Sequence, residues 1–550
     1  MTMASKLSPL CNFFLLLMLF SYSPSLASFY TSPSTICNST PHPSFCKSNL
    51  PPNEFNTIQD YGWYFIHQSL SSAKDFLSLI KSYPISHSSY SKRTVHALKD
   101  CQLLADLTVD FLSKTLQTIS STNRLNSLQA EDLHTLLSAT LTNQETCSDG
   151  LLELASASSV KKGLLGPLSN GTKLHSISLA LFKHGWVPKT KRESFPTERS
   201  HSFFSNMENI INGLLPLRMS ITGKRLLQTT LGDVLVSQTV FVNPDNSGDF
   251  TTINDAVAAA PENTDISDGY FVIYIVAGVY YEYVSIDKNK QYLMMVGYGI
   301  NQTVITGDHN QKNESSEFDS ATFAVVGQGF VAMNITFRNT AGPHKGQAVA
   351  VRSGADMSAF YGCSFEGYQD TLHTHSLRQF YKECDIYGTI DFIFGNAAVV
   401  FQDCNIYLRL PLHGQYNVII AQGKTDPNQN TGTSIHHCSI RPAEELVGTE
   451  TYLGRPWKEY ATTVYMQSFM DSLINSEGWH TWNDTDFAIN TLYYGEYDNN
   501  GPGSDTSNRI TWPGYHVMNR DEANVFNVSH FIQGDEWLPA TGVPYTGGLL

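Results

Sequence analysis

An N-terminal all-α helical bundle followed by an all-β right-handed parallel β-helix, a solenoid, is expected for this 550-residue chain on three grounds. Apolar residues recur at helical spacing from about Asn56 to Leu181. Beyond Leu231 the period shortens to two, in many short β-branched and aromatic runs. Within that second half, FYGCSFEGYQD at 360–370 and FYKECDIYGTID at 380–391 repeat one another, so Cys363 and Cys384, and likewise Asp370 and Asp391, lie 21 residues apart. The length exceeds that of one ordinary domain.

Residues 1–27 read as a secretory signal: Lys6, an apolar run from Leu10 to Phe20, then Ser25-Leu26-Ala27 for a signal peptidase. The run is too short to span a bilayer. Secretion suits seven N-x-S/T sequons, at Asn38, Asn170, Asn301, Asn313, Asn334, Asn483 and Asn527. It also suits the cysteines, of which eight remain beyond Cys11, an even number in an oxidising compartment. Their spacing lacks the close pairs that zinc needs, so no metal is expected.

Residues 28–187 form the expected bundle. In LKDCQLLADLTVDFLSKTLQTI one face carries Leu98, Cys101, Leu104, Thr108, Phe111, Leu112, Leu116 and Ile119, and DLHTLLSATL repeats the pattern with Leu133, Leu137 and Leu141. Cys37 and Cys46 can staple the N-terminal arm, and Cys101 and Cys147 can tie one helix to the next. Residues 188–231 lose all periodicity and read as a basic linker, with Lys224-Arg225 open to a processing protease.

Residues 232–550 form the β-rich half, with one clear helix from Ile253 to Ala260. The FY-x-C pattern returns at Val400-Phe401-Gln-Asp-Cys404-Asn-Ile406, and more weakly at His437-Cys438-Ser-Ile440 after 34 residues. A period near 20 indicates one solenoid turn per repeat; the rival, a β-sandwich, does not account for residue-by-residue recurrence. Equivalent positions then stack about 4.8 Å apart. Cys363, Cys384 and Cys404 become a ladder, in which a Cys384–Cys404 bond is feasible, and Asp370 stands beside Asp391. Charge divides the same way: 28–227 holds 19 Lys and Arg against 14 Asp and Glu, whereas 228–550 holds 15 against 36, a balance of +5 and −21. So acidic a second half argues against nucleic acid or an anionic membrane as partner.

Two stacked carboxylates repel, so one keeps its charge while the pKa of the other rises, giving a nucleophile or base beside an acid. Aspartates in turns commonly cap backbone amides instead. Asp391, however, sits in apolar GTIDFIFG, where an ionised group needs a cation, and Arg455 in LGRPW can supply one through a bidentate pair. His373 and His375 alternate on a strand-like segment and should face opposite ways. Paired aspartates also serve glycosidic cleavage, and an inactive secreted solenoid is a third reading.

GVYYE at 278–282, GQAVA at 346–350, GYQDTL at 367–372, GTIDFIFGNA at 388–397 and LGRPW at 453–457, in that order, resemble plant pectinesterases (pectin methylesterases). DCQLLADLTVDFL and LLSATLTNQETC resemble the pectinesterase-inhibitor domain that precedes them in family precursors, and KRLL resembles the family's processing site. The resemblance covers nearly the whole chain. It implies hydrolysis of the methyl esters of homogalacturonan to pectate and methanol, with no cofactor or metal. It implies Asp391 as nucleophile, Asp370 as proton donor, Gln347 and Gln369 as oxyanion donors, Arg455 orienting Asp391, Trp457 against a sugar ring, and Thr322 as a further substrate-binding position. The implied setting is the plant cell wall, for a monomer whose partners are pectin, its own pro-domain, separate pectinesterase-inhibitor proteins and a processing protease. The −21 balance departs from the basic character common in wall-bound members and implies weak attachment to pectate.

Overall fold

The protein is seen in a computed structural model that describes residues 32–52, 55–84, 90–122, 124–156, 158–188, 229–231, 234–313, 316–446 and 448–550. The expected signal segment and the Lys224-Arg225 pair lie outside the described residues.

Among the described residues the first half holds six helices: α1 (Pro33–Asn38), α2 (Pro43–Ser48), α3 (Ile58–Lys81), α4 (Lys92–Ser121), α5 (Ser127–Leu152) and α6 (Ser159–Trp186). Their starts are written locally. Thr57 and Asp60 form a capping box at α3, Asn126 and Gln129 another at α5, and Ser91 caps α4; each such cap contributes on the order of 1 kcal/mol. The expected face of α4 is turned inward: Leu98, Cys101, Leu104, Thr108 and Leu112 are buried, with Phe111, Leu116 and Ile119 packed at the margin. Disulfides join Cys37 to Cys46, tying α1 to α2, and Cys101 to Cys147, tying α4 to α5. Among the described residues no helix is long and apolar enough to cross a membrane.

The second half is a parallel β-helix. Three sheets of 12, eight and seven strands run its length, and apart from the hairpin joining Thr229–Leu231 to Val234–Val242 every pairing of strands is parallel. No sandwich forms. The helix α7 (Ile253–Ala259) packs against the first turns, with the Glu282 carboxylate accepting hydrogen bonds from the amides of Ile253 and Asn254.

The repeat sets the register. Phe360 lies beside Tyr381, Tyr381 beside Phe401, and Phe401 beside Ile435. The first three rings are stacked with centroids 4.8 and 4.6 Å apart, one strand spacing each. Pairing of Ser364 with Asp385, Asp385 with Asn405, and Asn405 with Ser439 places the preceding residues, Cys363, Cys384, Cys404 and Cys438, in one buried column. The ladder is as expected, but all four are free thiols and Cys384 is not bonded to Cys404. The residue before each rung, Gly362, Glu383, Asp403 and His437, has a positive φ. A left-handed corner recurs once per turn, which explains the turn-forming residues there.

The fold closes one sequon and corrects the expected divergence of two histidines. Asn527 is fully buried, capping Val528–Phe531 by accepting from the His530 amide, so its sequon is closed to a glycan in the folded chain. His373 and His375 do not diverge. The strand ends at Thr374, so the chain leaves the period-two path, and both rings are buried, 5.3 Å apart and edge-on to Phe318.

Candidate active site

The seven-stranded sheet carries the site. Its strands, in chain order, are β1 (Val284–Ile286), β2 (Phe323–Val325), β3 (Val351–Ser353), β4 (Leu372–Thr374), β5 (Ile393–Gly395), β6 (Asn417–Gln422) and β7 (Thr451–Pro456). Leu372 of β4 pairs with Ile393 of β5. Asp370 and Asp391, two residues ahead of each, are therefore neighbours on adjacent turns, and the Asp370 amide donates to the Ile390 carbonyl at 3.1 Å. Both aspartates have positive φ, 62° and 50°, a strained conformation that concentrates at functional positions. A glycine precedes each by three residues. At Gly388 a Cβ would lie 2.2 Å from Cβ of Phe392, so only glycine lets the turn close.

The two carboxylates have different partners. Arg455, on β7, donates from Nε to Oδ1 of Asp391 at 2.9 Å and from Nη2 to Oδ2 at 2.6 Å. Its Nη1 donates to the Tyr416 hydroxyl at 3.2 Å, and its guanidinium lies 4.5 Å from the Trp482 ring centroid. Asp370 instead accepts a hydrogen bond from the Gln347 amide at 2.7 Å. Both aspartates are buried. Burial raises the Asp391 pKa, and the hydrogen bonds and charge of Arg455, with a smaller contribution from His480, offset that rise only in part. Asp370 is pushed well above the carboxylate range, by burial first, then by the Asp391 and Glu317 charges, with Gln347 and the more distant Arg455 opposing. The arrangement favours an ionised Asp391 beside a protonated Asp370.

Gln369 is half-buried next to Asp370, its carbonyl accepting from the Ala348 amide. Trp457 packs edge-on to Phe394, 6.0 Å between centroids, in a small apolar cluster with Val349 and Ala421. Thr322 stands apart. It is fully buried and its hydroxyl donates to the Arg338 carbonyl at 3.1 Å, so it is not brought into the charged cluster. Sequence reasoning missed Tyr416, Trp482 and Glu317, which lie outside the repeat and had no periodic signal to mark them.

The helical domain lies across this face. On α5, Thr142 accepts a hydrogen bond from the Asn396 amide at 2.9 Å, Thr146 bonds His375 at 3.0 Å, and Glu145 and Asp149 pair with Lys458 at 2.6 and 3.0 Å. On α4, Asp100 accepts from the Ser316 hydroxyl, while Phe318 inserts among buried residues of α3 and α4 such as Leu77 and Leu104. The first half is net basic and the second net acidic. Several contacts run the other way: Lys288 meets Asp106 and Asp110, Arg378 meets Asp132, and Lys458 meets Glu145 and Asp149.

A protein-family model described as Pectinesterase matches residues 239–535, and one described as Plant invertase/pectin methylesterase inhibitor matches residues 31–181. The chain is 53% identical over 534 residues to the probable pectinesterase/pectinesterase inhibitor 20 of Arabidopsis thaliana, covering 94% of each chain. It is 43% identical over 540 residues to pectinesterase 2 of Citrus sinensis, covering 96% of this chain and 98% of the other. Among solved structures, the pectin methylesterase from carrot matches with a TM-score of 0.55 and 51% identity, over 56% of this chain and 98% of that one. With both domains matched in order, relatives aligned almost end to end and a parallel β-helix in common, the chain belongs to the pectinesterase family of carboxylic ester hydrolases and carries an inhibitor-type helical domain ahead of its β-helix.

Proposed function

We propose that the Asp370–Asp391 pair hydrolyses the methyl esters of homogalacturonan through an acyl-enzyme. An Asp391 oxygen attacks the C6 carbonyl of a methyl galacturonate unit. The tetrahedral oxyanion takes N–H bonds from the Gln347 and Gln369 amides, each worth a few kcal/mol of barrier. A side-chain amide has two N–H groups, so Gln347 can hold Asp370 with one and serve the oxyanion with the other. As the C–O bond breaks, Asp370 gives its proton to the departing methoxide, releasing methanol. Asp370, now ionised, takes a proton from water, whose oxygen attacks the acyl carbon; the bond from that carbon to the Asp391 oxygen breaks with Asp391 leaving as its carboxylate, and the galacturonic acid formed gives its proton to solvent. Arg455 keeps Asp391 ionised and oriented, and Trp457 offers its ring to a sugar. Thr322 acts in substrate binding through the backbone segment it braces.

The observation that carries this reading is the asymmetry of two carboxylates in register, one gripped by a guanidinium and the other held by a neutral amide. Its test is methanol release by Asp391→Ala, with circular dichroism to check the fold. A well-folded, inactive variant is expected; retained activity would overturn the mechanism.

The contacts of α5 beside the site support a second part of the proposal: residues 28–187 act as a pro-domain that covers the cleft and suppresses activity until the 188–231 linker is cut near Lys224-Arg225. Catalysis is assigned to 232–550. A secretory signal at 1–27, disulfides within the helical domain and a wall polysaccharide as substrate are consistent with a secreted monomer acting in the plant cell wall, open to regulation by separate inhibitor proteins. Methanol assayed before and after cleavage, with mass spectrometry of the secreted product, tests this part; equal activity in both forms would refute it.

A further inference from the structure

Among the described residues, three cations of the β-helix domain make salt bridges to carboxylates of the helical domain, and they differ in what they keep when that domain leaves. Arg378 is held within its own domain by Asp356, its Nη2 donating to Oδ2 at 2.8 Å. Lys288 sits just past β1, four strand positions from β5, or roughly 19 Å at the usual strand spacing. Lys458 has no carboxylate partner in its own domain among the described residues, and its position is not remote. Among the described residues, the carboxylates in salt-bridge range of its ammonium are Glu145 and Asp149, both on α5. Lys458 comes three residues after the arginine that grips Asp391, and its ammonium lies 5.2 Å from the centroid of the Trp457 ring.

The stripe of α5 that reaches Lys458 is a helical face at positions i, i+3, i+4 and i+7: Thr142, Glu145, Thr146 and Asp149. Thr142 touches Asn396 and Thr146 touches His375, residues that follow β5 and β4. Those two strands are the ones that Asp391 and Asp370 precede by two residues, so the stripe runs beside the reaction centre. Burial would lower the Lys458 pKa, but Asp149 and Glu145 more than offset it and the net shift is upward. A cation so well compensated in the two-domain chain becomes uncompensated in the separated β-helix domain.

A lysine beside an aromatic ring is a fitting receptor for an acidic sugar, the ring taking the C–H face and the ammonium the carboxylate. We infer that Lys458 binds the free carboxylate of a de-esterified galacturonate unit near the ester under attack, and that Glu145 and Asp149 occupy this subsite while the helical domain is docked. The inference rests on the proposed reaction at Asp391. It makes Lys458 a specificity residue that favours chains already partly de-esterified, and it gives the helical domain two carboxylates that stand in for those of the substrate.

The test uses the β-helix domain alone. Its main core is built from its own residues, Val240 to Tyr494, and the carrot enzyme, 98% of whose chain is matched, spans 56% of this one. Binding of a fully de-esterified oligogalacturonate is measured by calorimetry on the wild-type domain, Lys458→Gln, Lys458→Arg and, as control, Lys288→Gln. Methanol release is measured on oligomers of equal length, fully or partly esterified. Lys458→Gln should weaken oligogalacturonate binding about tenfold. It should also raise KM by a similar factor on the partly esterified substrate alone, with kcat little changed. Lys458→Arg should restore both, and Lys288→Gln should match the wild type. Equal binding by wild type and Lys458→Gln, or a KM raised alike on both substrates, would overturn the proposal. Because binding needs no turnover, a failure of the Asp391 mechanism would appear separately, as an active Asp391→Ala variant with the Lys458 dependence intact.

Discussion

Arg455 holds both carboxylate oxygens of Asp391, at 2.9 and 2.6 Å, from a position 64 residues further along the chain. Two parallel N–H bonds fix the carboxylate plane as well as its charge. Replacing Arg455 with leucine leaves Asp391 buried without its cation. We expect kcat to fall roughly a hundredfold or more. The Asp391 pKa should rise, moving the acid limb of the pH–rate profile to higher pH. An unmoved acid limb would show that Asp391 is held ionised by something other than this pair.

Asp370 carries the opposite expectation. Its pKa is raised on folding by burial, with Asp391 and Glu317 adding to the shift. For a carboxyl raised on folding, the stability contribution is whole below the unfolded value, about pH 4, and is lost as pH rises through the folded value. Asp370→Asn should therefore melt with the wild type near pH 4 and above it at neutral pH, while losing roughly a thousandfold in kcat. Thermal melts across that range, beside methanol assays, check both parts.

Gln347 lowers the Asp370 pKa by donating to it. In Gln347→Leu that donation is gone, so Asp370 should stay protonated to higher pH and the alkaline limb of the rate profile should move up. The lost oxyanion donor should cost roughly a hundredfold in kcat. A pH–rate profile separates the two effects.

The interface between the domains should respond to pH through Asp100. Burial pushes its pKa up to about 7, with Asp319 adding to the shift, Ser316 and Arg352 opposing it, and Glu317 adding a smaller rise. Ionising Asp100 disfavours the docked state, so its own contribution to association is greatest at acid pH and is lost as pH approaches 7. Asp100→Asn should tighten docking of the two separated domains at neutral pH by roughly tenfold and change little near pH 4. Calorimetric titration at the two pH values checks it.

Tyr381 is the middle ring of the stacked column, fully buried, with its hydroxyl donating to Gln379 at 2.9 Å. Tyr381→Ala should cost about 3–5 kcal/mol in denaturant unfolding, whereas Tyr381→Phe, keeping the ring, should cost about 1 kcal/mol.

Local periodicity determined much of this protein from its sequence. Because each turn spans 20 or 21 residues, residues equally placed in consecutive repeats must stack. That put Cys363, Cys384 and Cys404 in one column and Asp370 beside Asp391. The 3.6-residue period likewise marked the buried faces of α4 and α5, and proximity within the bundle paired its cysteines. Tertiary structure decided whatever depends on where a repeat ends or on which surfaces dock. The histidines came together because β4 stops at Thr374, and Asn527 was buried by a helix packed on the sheet. The division of labour between the aspartates depends on groups outside the repeat, Arg455 from β7 and Gln347 from the loop before β3. The charge pattern at the cleft was the least legible, because net charge is a sum over whole surfaces, whereas an ion pair such as Lys458 with Glu145 and Asp149 depends on the few residues that docking brings together.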